Sequence, residues 1–238
     1  MANAQDIHPD QALARSPFSR KLNAKQAQFA RRGEYTVASS VSGSGYEAGG
    51  VNFCDLSGLV RSGFKGNGTT DWLSSKSLAV PAKPNTAELQ KDGTLLCRLS
   101  DEEYLLLSPL QGETAGIAEL DAAWAADHVA SDKGIGYPLP RQDTHSWIYL
   151  SGAQTSDMFA KICGVDLRAE MFANKEIAQT VAARLGAIII RDDLGGQLGF
   201  HFLTDSASAT YIWDVLEDAT AEFAGGVLGL EDLLRALS

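Results

Sequence analysis

The chain repeats itself. Gly66, Thr69, Thr70, Asp71, Trp72 and Leu73 recur as Gly152, Thr155, Ser156, Asp157, Met158 and Phe159, each partner 86 residues further on (66 to 152). In both copies a glycine, then hydroxyl and carboxylate side chains, then two apolar residues read as a strand exit followed by a helix N-cap. Both copies continue with the same order of elements. In the first, strands over 95–99 and 104–108 flank a turn at 100–103, and a helix follows near 113–127. In the second, strands over 185–191 and 198–204 flank a turn at 192–196, and a helix follows near 207–221. Ile117, Leu120 and Trp124 fall on one helical face, as do Ile212, Val215, Leu216 and Ala219. A duplicated β-α-β-β-α unit predicts an α+β fold, with antiparallel sheets and helices packed on one face.

Loops rich in Gly, Pro and Lys divide the rest. Pro138 and Pro140 forbid a central strand between 133 and 141, which makes that stretch the best internal boundary. The expected organisation is a basic N-terminal arm over 1–33, a first half over 34–132, a linker over 133–141 and a second half over 142–238. The arm holds Arg15, Arg20, Lys21, Lys25, Arg31 and Arg32 against Asp6 and Asp10, in a chain whose net charge is −10. A basic, apolar-poor arm cannot fold alone, so it is expected either to fray into solvent or to order against an acidic partner surface. A short amphipathic helix is expected over 21–32, a strand over 35–41 and a terminal helix over 229–237.

The chemistry-bearing residues carry no strong catalytic signature. A net charge of −10 argues against nucleic acid as a partner. Cys54, Cys97 and Cys163 stand far apart, in no metal-ligand spacing, which suits buried thiols in a reducing compartment. No apolar run approaches the length of a membrane helix, and the first residues lack a secretory signal, so a soluble, cytoplasmic protein is expected. Gly43, Gly45 and Ala48 satisfy a dinucleotide fingerprint, but Gly49 and Gly50 follow where its helix should begin, so a plain loop is expected. His8, His128, His145 and His201 have no metal-ligand partner at close spacing. His201, opposite Phe200 and Phe202 on a strand, reads as a satisfied structural residue. Asp101 with Glu102, and Asp192 with Asp193, fall in the two hairpin turns, where turn chemistry explains them without burial. No catalytic or metal-binding residue is expected.

Longer stretches carry a family resemblance. They run over 160–168, Phe172, 177–185, 188–191 and 207–219, joined by 16–18, 63–66 and 98–107. In this order they resemble the folate-binding superfamily of the glycine-cleavage aminomethyltransferases, and within it the gamma subunits of heterotetrameric sarcosine oxidases and related N-methyl amino-acid dehydrogenases. The resemblance covers about residue 15 to the end. Against the enzymatic branch, the segment 191–200 retains Arg191, but Gln197 stands where a Glu contacts the pterin. Glu231 replaces a folate-contacting Arg, Asp92 is followed by Gly93 where an Asp pair stands, and the further barrel domain of enzymatic members does not follow. Asp92, Arg191, Gln197 and Glu231 are therefore degenerate folate-site positions.

The resemblance implies a non-catalytic, gamma-type subunit of a flavin-dependent N-methyl amine oxidase linked to tetrahydrofolate. Flavin, NAD and tetrahydrofolate are expected on partner subunits, none on this chain alone, with neither nucleic acid nor membrane as a partner. The alternatives are a free-standing folate-dependent aminomethyltransferase and a folate-fold accessory protein, whose Lys-Gly-Cys-Tyr-like motif this chain lacks.

Overall fold

A computed structural model describes residues 7–112, 115–130 and 134–238. In chain order the elements begin α1 (Ser19–Ala24), β1 (Gln28–Arg32), β2 (Tyr35–Ser40), β3 (Val51–Asp55), β4 (Arg61–Lys65) and α2 (Thr69–Ser75). They continue β5 (Thr86–Leu89), β6 (Leu95–Ser100), β7 (Glu103–Leu107), α3 (Ala115–Ala130), β8 (Tyr137–Pro138) and β9 (His145–Ser151). The last are α4 (Thr155–Ala160), β10 (Ile177–Ala182), β11 (Leu185–Arg191), β12 (Gly199–Asp205), α5 (Ala209–Thr220), β13 (Gly225–Leu228) and α6 (Leu230–Ala236).

The sequence repeat is a structural repeat. One sheet has the strand order β5-β6-β7-β4-β8 and another β10-β11-β12-β9-β3-β13, so four strands match position for position. The register matches too, because Phe64 faces Tyr104 and its repeat partner Leu150 faces Phe200. Each copy holds one strand more than expected, β5 or β10. Both are edge strands without clean alternation, and only sheet pairing fixes them as strands. The glycines that head the repeats adopt φ of +112° at Gly66 and +125° at Gly152, and a Cβ on Gly152 would lie 2.3 Å from the Gly50 carbonyl oxygen. Thr69 Oγ1 donates to the Gly66 carbonyl at 2.6 Å and Thr155 Oγ1 to the Gly152 carbonyl at 2.8 Å. These hydroxyls close the preceding turn instead of capping the helix, a departure from the N-cap reading.

The chain divides into two compact units. Unit 1 holds the described residues through Leu59, with His145–Asn174 and Ala178–Ser238. Unit 2 holds the described residues of Val60–Thr144, with Lys175–Ile177. The contiguous division expected from sequence differs, because β3 hydrogen-bonds to β9 and not to the neighbouring β4. In unit 2, β8 sits at the sheet edge, where Pro138 costs no ladder bond. Phe64, Leu96, Tyr104 and Leu106 of that sheet bury against Trp72 and Leu73 of α2 and Ile117 and Leu120 of α3. In unit 1, Phe53, Leu150, Phe200 and Phe202 bury against Phe159 of α4 and Ile212, Trp213 and Leu216 of α5. β13 pairs parallel to β3. Cys54 points away from Phe53; burial, then Asp55 and Asp232 of α6, hold its thiol pKa well up.

The N-terminal segment is part of unit 1. Phe18 and Leu22 are fully buried, and the Phe18 ring lies 5.4 Å from Trp213. The helix expected over 21–32 stops at Ala24; Gln26 takes φ +56°, and the chain then pairs as β1 with β2. Pairing with β2 and burial of Phe29 override weak helical periodicity. Lys21 pairs with Asp214 and Lys25 with Glu217 at 2.6 Å, both on α5. Over the described residues, the acidic surface that orders the expected arm lies on this chain's own α5.

Candidate functional site

The hairpin of β11 and β12 gathers the densest polar chemistry in unit 1. Alternation along β9 and β12 places Trp147, Tyr149 and His201 on the face opposite Leu150, Phe200 and Phe202. Trp147 Nε1–H donates to His201 Nδ1 at 3.1 Å, so Nδ1 is the acceptor and the ring proton sits on Nε2. His201 Nε2 then donates to Asp192 Oδ2 at 3.1 Å. Tyr149 Oη donates to the Asp192 carbonyl at 2.8 Å, and the Tyr149 and His201 rings lie 5.0 Å apart. Burial, followed by the charges of Asp192 and Asp193, pushes the Tyr149 phenol well up.

His201 and Asp192 are 3% and 4% exposed. The dyad is closed to solvent, and its geometry makes it a rigid polar clasp between β9, β12 and the hairpin turn. His201 is the satisfied structural residue expected. Asp192 departs from expectation, since it is buried and paired. The signal for it was the shared face of Trp147, Tyr149 and His201, which becomes readable only once the β9–β12 register is known.

The four degenerate positions fall in different surroundings. Arg191, 9% exposed, makes four hydrogen bonds with its guanidinium inside unit 1. Nε and Nη2 donate to the Asp193 carboxylate at 3.0 and 2.6 Å, and Nη1 donates to the carbonyls of Ala169, at 2.9 Å, and Phe172. Gln197 lies in the β11–β12 turn, its backbone N–H bonded to the Leu194 carbonyl at 2.9 Å. Glu231 is exposed in the first turn of α6. Asp92 lies in unit 2, where Oδ1 accepts from the Thr94 N–H and Oδ2 from Thr94 Oγ1, each at 3.0 Å. Arg191 and Gln197 share one hairpin, but the Arg191 side chain is committed to holding the 169–172 loop.

The remaining candidates are structural. Gly43, Gly45 and Ala48 lie in the loop between β2 and β3, and a strand follows them. Glu102 Oε2 accepts from the Thr70 N–H at 2.9 Å and from its hydroxyl at 3.0 Å, so this hairpin acid caps the start of α2. His128 stacks on Trp124 at 4.6 Å, and His8 accepts the Asp10 N–H at 3.3 Å. Cys54, Cys97 and Cys163 are buried and form no disulfide. Among the described residues no group of three His, Cys, Asp or Glu is placed to hold a metal, and no helix is long and apolar enough to cross a membrane.

No family model matches the sequence. A curated relative, an aminomethyltransferase of Saccharopolyspora erythraea, is 27% identical over 146 residues, which is 60% of this chain and 37% of the relative. The match thus spans well under half of that protein. Among solved structures, glycine cleavage system aminomethyltransferase T from Bartonella henselae superposes with a TM-score of 0.65 at 13% identity, over 93% of this chain and 61% of that one. The chain is an aminomethyltransferase-fold protein. A chain of heterotetrameric sarcosine oxidase from Corynebacterium sp. U-96, solved with pyrrole 2-carboxylate, superposes with a TM-score of 0.67 at 19% identity. That match covers 90% of this aminomethyltransferase-fold protein and 97% of the other chain.

Proposed function

We propose that this aminomethyltransferase-fold chain is a gamma-type, non-catalytic subunit of a heterotetrameric, flavin-dependent, cytoplasmic oxidoreductase. The complex acts on sarcosine or a related N-methyl amine and feeds tetrahydrofolate-linked one-carbon metabolism. Flavin, NAD and tetrahydrofolate belong to partner subunits, and this chain supplies packing surface. One observation carries the reading: the match, at a TM-score of 0.67, over 90% of this chain to a chain of heterotetrameric sarcosine oxidase. The setting of Arg191 supports it, because a guanidinium tied by four hydrogen bonds to Asp193 and two loop carbonyls is not free to turn toward a ligand.

A folate-dependent aminomethyltransferase is the second reading, favoured by the 27% identity over 146 residues. Purification of the tagged chain from its native cells separates the two. The expected result is recovery with yellow, flavin-bearing chains in fixed ratio, and a colourless product when this chain is produced alone. Recovery of the chain by itself from native cells, or stoichiometric flavin on the isolated chain, would overturn the proposal.

A further inference from the structure

Unit 2 contains a cleft of about 430 Å³, within the size range of small-molecule pockets. Leu78, Leu106, Leu120 and Ala123 form an apolar floor between the sheet and α3. Its wall is preformed. Gln90, 9% exposed, accepts the Ala79 N–H on Oε1 and donates Nε2–H to the Ala79 carbonyl, each at 2.9 Å. Nε2 also donates to the Glu88 carbonyl at 3.1 Å, so this amide pins the loop that follows α2.

The charges around the mouth sort into committed and free. Lys76 pairs with Asp127 at 2.5 Å and lies 5.7 Å from the Trp72 ring centroid. Asp92 is held by Thr94, and its Oδ2 lies 2.0 Å from where a Cβ on Gly116 would stand, so the carboxylate fits only against glycine there. That leaves Lys91 and Glu119, both exposed, with no side-chain partner among the described residues. One free cation and one free anion therefore rim an apolar floor.

We propose that this cleft binds a zwitterionic α-amino acid with a bulky apolar side chain. The carboxylate meets Lys91, the ammonium meets Glu119, and the side chain covers Leu106 and Leu120. The site stands apart from the subunit role above and does not depend on it. Because both rim charges are exposed, each adds only a modest factor, and specificity comes from meeting both signs at once.

Calorimetric titration of the full chain with L-phenylalanine, 3-phenylpropanoate and phenethylamine tests this. L-phenylalanine is expected to bind with a dissociation constant of roughly 1–5 mM. Each single-charge analogue is expected to bind about three-fold or more weaker. Lys91→Glu should weaken L-phenylalanine and leave phenethylamine unweakened, while Glu119→Lys should weaken L-phenylalanine and leave 3-phenylpropanoate unweakened. Ala123→Trp, which fills the cleft, should abolish binding while the circular dichroism spectrum is kept. Absence of L-phenylalanine binding up to about 20 mM, equal affinity for all three probes, or binding unchanged in both charge reversals would overturn the proposal. The two charge reversals lie on the surface, so they decide the question even if Ala123→Trp fails to fold.

Discussion

At the scale of single residues, the same side chain reads differently by sequence and by structure. Arg191 sits where the resemblance places a folate-site position, yet the fold spends it on Asp193 and on two loop carbonyls. Arg191→Met should therefore cost about 2–4 kcal/mol, measured by urea denaturation, because Asp193 and two carbonyls lose their donors in a largely buried setting. Glu103 gives a pH-dependent counterpart. Burial pushes its carboxyl up, but hydrogen bonds and charge from Lys65 and Arg141 outweigh burial and leave it below its ordinary value of 4.5. A carboxyl lowered in the folded state stabilises fully above its unfolded value, and the contribution is lost as pH falls through the folded one. The wild type should thus exceed Glu103→Gln in stability at neutral pH. The gap should close as pH falls below the ordinary carboxylate value of 4.5 and through the lowered folded one, and thermal unfolding across the acid range checks it. A gap that persists at the acid end would show that Glu103 acts by packing alone.

At the scale of elements, local pattern and tertiary pairing compete, and the outcome follows amphipathic strength. The hairpins of β6 with β7 and β11 with β12, and helices α5 and α6, lie within a residue or two of where apolar spacing places them. The 21–32 segment had only weak periodicity, and β2 captured its second half as a strand. The N-terminal segment then behaves as core. Phe18→Ala should cost about 3–5 kcal/mol by chemical denaturation, with a shift in Trp213 fluorescence, since the ring is fully buried against that indole. A solvated arm would lose less than about 0.5 kcal/mol from the same change.

At the scale of the whole molecule, the expected consequence of the substituted positions is weak folate binding. Calorimetry with tetrahydrofolate should find a dissociation constant weaker than about 10 μM for the isolated chain; tighter binding would sink the non-catalytic reading. The sequence by itself determined the duplication, because Gly66 and Gly152 head equivalent turns whose positive φ admits little else, and apolar spacing is a local property. It also determined the α+β class, since the order of strands and helices within each copy leaves few layer arrangements. Tertiary structure alone decided that β3 pairs with β9, that Asp192 is buried under Tyr149 and His201, and that Arg191 is consumed. Each of those joins residues dozens of positions apart or sets burial by what packs on top. Hydrogen-bond partners and solvent exposure belong to the assembled fold, and no short stretch of sequence encodes them alone.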